Sequence, residues 1–85
     1  MNEEMVRDTL RNTLKVQRAM RDLTQADLAA LAGITRRSVN AIETGRMVPS
    51  VLLALKLARA LGVTVETVFA LEGSGSAVAA SESAT

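Results

Sequence analysis

The chain has 85 residues, 48% of them apolar, with ten Lys and Arg against nine Asp and Glu and a formal net charge of +1. That length allows one small domain near the lower limit at which a core holds itself together, so a dimer would help stability. With no Cys and no His, a disulfide framework, a zinc finger and His- or Cys-based catalysis are excluded. No apolar run approaches a membrane span, and MNEEMVRD lacks the charged-then-apolar order of a signal peptide, so the expectation is a soluble, cytoplasmic protein with no cofactor. The charge is unevenly spread. All ten basic residues lie between Arg7 and Arg59, where the acids are Asp8, Asp22, Asp27 and Glu43, a local excess of six that suits phosphates or a solvated helical surface.

In chain order, Asn2 is positioned to cap a first helix with Glu3 and Glu4 in its opening turn, running to about Arg21. Val6, Leu10 and Leu14 form its apolar stripe, which Gln17 interrupts, with Val16 and Met20 to the side. Thr24 and Asp27 make a capping box for a second helix ending near Ala32. The third helix is expected from Arg36 to about Thr44, stopping at Gly45. After the connector Gly45 to Pro49, Ser50 caps a fourth helix reaching Leu61, with Gly62 as its left-handed terminator. Thr64 caps a short fifth helix, and Val63, Val68 and Phe69 close the bottom of the core. The fold class is therefore all-α with one domain over residues 1–72. Residues 73–85, small and polar, read as a flexible tail or a cloning remnant.

Residues 25–44, QADLAALAGITRRSVNAIET, carry the functional signal. Ala29 falls where two helices would cross most closely, and Gly33 where a tight turn needs positive φ. Leu28, Leu31, Ala32, Ile34, Val39 and Ile42 supply apolar positions at helical spacing, giving a helix-turn-helix rather than two unrelated helices. A plain α-hairpin would satisfy the same spacing; the polar residues argue against it. Thr35 is the N-cap of the third helix, which puts Arg36 and Arg37 in its first turn, where the macrodipole disfavours cations. Such a local conflict is expected at a functional site, and the first turn of a recognition helix is where side chains meet base edges, arginine most often meeting guanine.

Together LTQADLAALAGITRR, SVNAIETGR and PSVLLALKLARALGV closely resemble the Cro/repressor-type (Xre) helix-turn-helix family of phage and bacterial transcription regulators, over roughly Leu14 to Phe69. The resemblance implies a five-helix lambda-repressor-like domain binding double-stranded DNA as a homodimer on an inverted repeat, with the third helix in the major groove. It implies that Gln25 and nearby backbone amides hold a phosphate, that Thr35, Arg36, Arg37 and Ser38 face bases or flanking phosphates, that Asn40 suits adenine, and that Arg46 clamps backbone. For Ser38 a local hydrogen bond in its own helix, and for Asn40 a solvated face, are the alternatives. Arg18 and Glu43 match a structural ion pair joining the first and third helices. Gln17 stands where the family usually has leucine, Asp22 where it has glycine, and Arg37 where glutamine is more common, which should move preference toward guanine.

Of two candidate dimer surfaces, Leu52 with Leu55 and the stretch Val63 to Leu71, the second is favoured; Thr67 to Leu71 is β-prone enough for the short strand pairing that some compact relatives add. The expected function is a sequence-specific regulator, by default a repressor. The alternative is an antitoxin or adaptor that mainly binds a protein partner and autoregulates through DNA. An enzyme is disfavoured, because Asp22, Asp27 and Glu43 show no paired arrangement for acid-base work.

Overall fold

Three hydroxyl residues start the three principal helices. In the computed structural model, which describes residues 8–72, α2 (Gln25–Ala32), α3 (Arg36–Glu43) and α4 (Val51–Leu61) follow Thr24, Thr35 and Ser50, whose side chains accept from the backbone N–H groups of Asp27, Ser38 and Leu53. At α2 the expected capping box is complete, since the Asp27 carboxylate accepts in return from the Thr24 N–H at 2.9 Å. Gly33 ends α2 at φ 73°. A Cβ there would meet nothing within 4 Å, so the left-handed dihedral, rather than space, selects glycine. Asp22 is the one non-glycine residue at positive φ among those described, at 55°, where the sequence departs from the family's glycine.

The first helix differs from expectation. Instead of one helix from Asn2 to Arg21, a strand β1 (Thr9–Asn12) precedes a short α1 (Leu14–Met20), and after α5 (Val65–Val68) a strand β2 (Phe69–Glu72) returns to pair with β1. The ladder is antiparallel, with Thr9 opposite Glu72 and Asn12 opposite Phe69. Leu10 fits a helical stripe with Leu14, but Asn12 bonds locally and Thr13 bonds to the end of α5 in ways that compete with helix. The Asn12 Oδ1 accepts from Leu14 N–H at 3.0 Å, while Thr13 N–H and hydroxyl donate to the carbonyls of Val68 and Thr67. Asn12 thus begins the helix. Asn2, Glu3, Glu4 and Val6, and the 73–85 tail, lie outside the described residues.

The core is Leu14, Leu28, Ala29, Ala32, Val39, Ile42, Leu57, Ala58, Leu61, Val68 and Phe69, drawn from all five helices and β2. Its large aliphatic side chains each contribute roughly 1.5–3 kcal/mol relative to exposure. Leu31 was expected inside and is instead 60% exposed. Leu28 and Ala32 complete the buried stripe at i, i+4, and Leu31 falls beside it. Gln17 takes a buried place where leucine was the family habit, and its side-chain carbonyl accepts from the Arg21 guanidinium at 2.8 Å. Within the favoured dimer surface Val68 and Phe69 lie in the protein's own core and Val63 is partly covered, while Leu71 is exposed. Val51, Leu52 and Leu55 on α4 remain exposed.

Candidate nucleic-acid interface

The turn between α2 and α3 is set by the left-handed dihedral of Gly33 and by backbone hydrogen bonds. Gly33 and Ile34 N–H groups both donate to the Ala29 carbonyl, closing α2 and turning the chain toward Thr35. Ala29 itself is buried where the helices meet, as the sequence suggested.

Arg36 and Arg37 occupy the first turn of α3 and are both exposed. Among the described residues the ion pair is Arg18 with Glu43, so neither of these guanidiniums is engaged by a carboxylate. Thr35 and Ser38 are tied to each other: the Thr35 hydroxyl accepts from Ser38 N–H and donates to Ser38 Oγ, both at 3.0 Å. The local bond weighed for Ser38 is therefore present. Arg46, beyond the helix, is exposed and donates from Nε to the Thr44 hydroxyl, which in turn donates to the Asn40 carbonyl at 2.7 Å.

The inner face of α3 is locked. Arg18 donates from Nε and Nη2 to the two oxygens of Glu43, at 2.9 and 2.8 Å, and from Nη1 to the Leu23 carbonyl. This fork joins α1, the turn into α2, and α3. The Gln25 Nε2 donates to Glu43 Oε1 at 3.2 Å and to Asn40 Oδ1 at 3.1 Å. Hydrogen bonds from Arg18 hold the Glu43 carboxyl below the ordinary carboxylate range; burial opposes this, and the Gln25 bond and the charges of Arg18 and Lys15 assist. The same bond to Glu43 raises Arg18.

The nine residues singled out thus fall into groups. Gln25, Asn40, Glu43 and Arg18 form one hydrogen-bonded chain, Thr35 and Ser38 form a pair, and Arg36, Arg37 and Arg46 project from the surface. Asn12 was not singled out. Its Nδ2 donates to the Ile42 carbonyl at 3.1 Å and so anchors the end of α3 to β1. The available signal was Asn-Thr-Leu, a side chain suited to bonding a backbone amide two residues on. The described residues contain no group of three or more Asp, Glu, His or Cys that could hold a metal ion, and no helix long and apolar enough to cross a membrane.

With this geometry established, comparison with known proteins adds a second line. A family model described as Helix-turn-helix, HTH_3, matches residues 14–68, which are the bounds from the first residue of α1 to the last of α5. Two relatives, described as uncharacterized HTH-type transcriptional regulators, are each 44% identical over 63 residues, 74% of this chain and 96% of their own length. One is from Methanocaldococcus jannaschii and the other is YgzD of Bacillus subtilis. Among solved structures, the restriction-modification controller protein C.AhdI of Aeromonas hydrophila aligns with a TM-score of 0.62 at 35% identity, covering 64% of this chain and 82% of that one. The hypothetical transcription factor NHTF from Neisseria aligns at 0.61 and 30% identity, over 64% of this chain and 62% of its own.

Proposed function

The chain belongs to the HTH_3 helix-turn-helix family of DNA-binding transcriptional regulators, and from that membership we propose that it is a repressor that binds an inverted-repeat operator as a homodimer through α3. The observation that carries the proposal is the pair of exposed arginines, without an ion-pair partner among the described residues, at the first turn of a helix whose other end is held by Arg18 and Gln25. Cations there are unfavourable for the helix, and a phosphate or guanine edge in the major groove is what would make them favourable. Arg37, with Arg36 beside it, reads base edges; Thr35 and Ser38 lie on the same turn toward the flanking backbone; Arg46 contacts phosphate. The likeness to a controller protein supports a regulatory role.

The exposed row of Val51, Leu52 and Leu55 on α4 supports self-association on that face, and Leu71 leaves an exposed apolar position in the C-terminal stretch as well. A twofold dimer would set two recognition helices about 34 Å apart, with half-sites about 10 bp apart centre to centre. The same apolar row supports a second reading, in which another protein occupies α4 and DNA binding serves autoregulation.

Selection from a random duplex library at near-physiological salt, followed by sequencing of the retained DNA, separates the two. An enriched inverted repeat with guanines in each half-site supports the repressor. Retention without enrichment, collapsing as salt rises, supports the adaptor or antitoxin reading.

A further inference from the structure

The Glu43 carboxylate, held ionised by Arg18, can only accept, so the Gln25 atom 3.2 Å from its Oε1 is the amide nitrogen. The same nitrogen meets the Asn40 side chain at 3.1 Å, and having only hydrogens to offer it must face the Asn40 oxygen. Both hydrogens of Gln25 Nε2 are then engaged. The chain of donors from Arg18 to Glu43, and from Gln25 to Glu43 and Asn40, therefore fixes which way the Asn40 amide points. Its Oδ1 is turned to α2, and its Nδ2 lies on the other side of the planar group. That nitrogen has no partner among the described residues. Among the described residues no buried side-chain nitrogen or oxygen lacks one, so Asn40 Nδ2 is open to solvent. It lies one turn beyond Arg36 on the same helix face.

We propose, on the premise that α3 enters the major groove, that Gln25 is a positioning residue that makes Asn40 a donor-only reader, selecting guanine over adenine at the base it faces. Pairing an asparagine with adenine takes both ends of the amide: Nδ2 gives to N7 and Oδ1 accepts from the N6 amino group. Oδ1 keeps a second lone pair, but the Gln25 bond holds that oxygen toward α2, and bringing both amide ends edge-on to adenine works against that bond. An outward NH2 meets two acceptors, N7 and O6, on guanine, an acceptor beside a competing donor on adenine, and a donor on cytosine. Of these three the ranking is guanine first and cytosine last, whereas the residue type alone suggests adenine. Gln25, with both amide hydrogens engaged and only Oε1 left, has nothing to offer a phosphate from its side chain, so phosphate contact at the start of α2 falls to backbone N–H groups.

The test is library selection with the wild-type protein, Asn40→Ala, Gln25→Ala and Asn40→Asp. Asn40→Ala identifies the base position by erasing its preference, which in wild type should favour guanine over adenine by about tenfold. Gln25→Ala frees the amide to turn, and adenine should rise to within about twofold of guanine there, while the positions read by Arg36 and Arg37 keep their preferences. Asn40→Asp retains an acceptor toward Gln25 and sets a second oxygen outward, which should move the preference to cytosine; it carries the test alone if Gln25→Ala does not fold. A merely structural Gln25 would weaken all positions alike. Adenine at that position in wild type, an unchanged profile for Gln25→Ala, or no position responding to Asn40→Ala overturns the proposal while sequence-specific binding stands. No enriched motif with wild type overturns that binding and this proposal together.

Discussion

The two ends of α3 are built on opposite principles. Its final turn is surrounded: Glu43 is gripped by Arg18 and Gln25, the Ile42 carbonyl by Asn12, and the Asn40 amide by Gln25. Its first turn holds two exposed arginines with no acidic partner among the described residues, placed where the helix dipole repels them. A helix optimised only for its own stability would carry Asp or Glu there. On the proposed function, the difference gives stability to one end and reading to the other, and the far end holds the helix in register despite the unfavourable first turn.

This division can be attacked from both sides. Glu43→Ala should have the largest effect, leaving the mostly buried Arg18 guanidinium stranded, at a cost of about 3 kcal/mol. In a domain this small that lowers the melting temperature by more than about 10 °C. The bases selected by Arg36 and Arg37 should persist at temperatures where the variant is folded; loss of those preferences before loss of fold would break the division. At the other end, Arg37→Ala should weaken the cognate site by about 1–3 kcal/mol and relax one base pair without altering melting. Arg46→Ala, by contrast, should weaken every sequence alike and shallow the salt dependence by about one unit of slope. Equal effects of both variants on cognate and random DNA would merge the two roles.

Acid offers a gentler probe. Glu43 and Asp27 both have carboxyls held below their ordinary values, Glu43 chiefly by the Arg18 hydrogen bonds and Asp27 by the Thr24 backbone N–H. Each contributes stability that is fully present above the unfolded-state pKa, near 4.5 for Glu43, and is lost as pH falls through the lower folded value. Urea midpoints measured from pH 6 downward should therefore begin to fall below about pH 4.5, and Glu43→Gln should flatten much of that slope. The smallest effect is the most direct comparison of the two ends. Arg36→Glu should raise stability by about 0.3–1 kcal/mol, by matching the dipole, while abolishing retention of DNA.

Much of the reading unit was legible because its signals are local. Thr24 with Asp27, Gly33 and Thr35 act within a few residues of where they stand, and the structure shows the box, the left-handed turn and the cap they imply. The Arg18–Glu43 pair, 25 residues apart, came through family resemblance rather than spacing. What escaped was non-local. A four-residue strand at Thr9–Asn12 has no periodicity to set against the Leu10–Leu14 helical stripe, and its partner lies about sixty residues along the chain. Leu31 looked apolar enough to be core, yet facing is decided by which helices pack against α2. For Asn40 the residue type was visible, but the direction of its amide depends on a carboxylate held by a different helix.

The β1–β2 ribbon brings the chain into the domain and out of it side by side, with Thr9 opposite Glu72. Tension applied to anything attached at these two points would bear on the outermost rung and then on each in turn, as a zipper opens, and not across the ladder all at once. The peel would travel from Thr9 through Leu10 and Arg11 to Asn12, whose side chain both begins α1 and grips the Ile42 carbonyl. Mechanical load on the ribbon is thereby channelled to the residue that braces the reading helix.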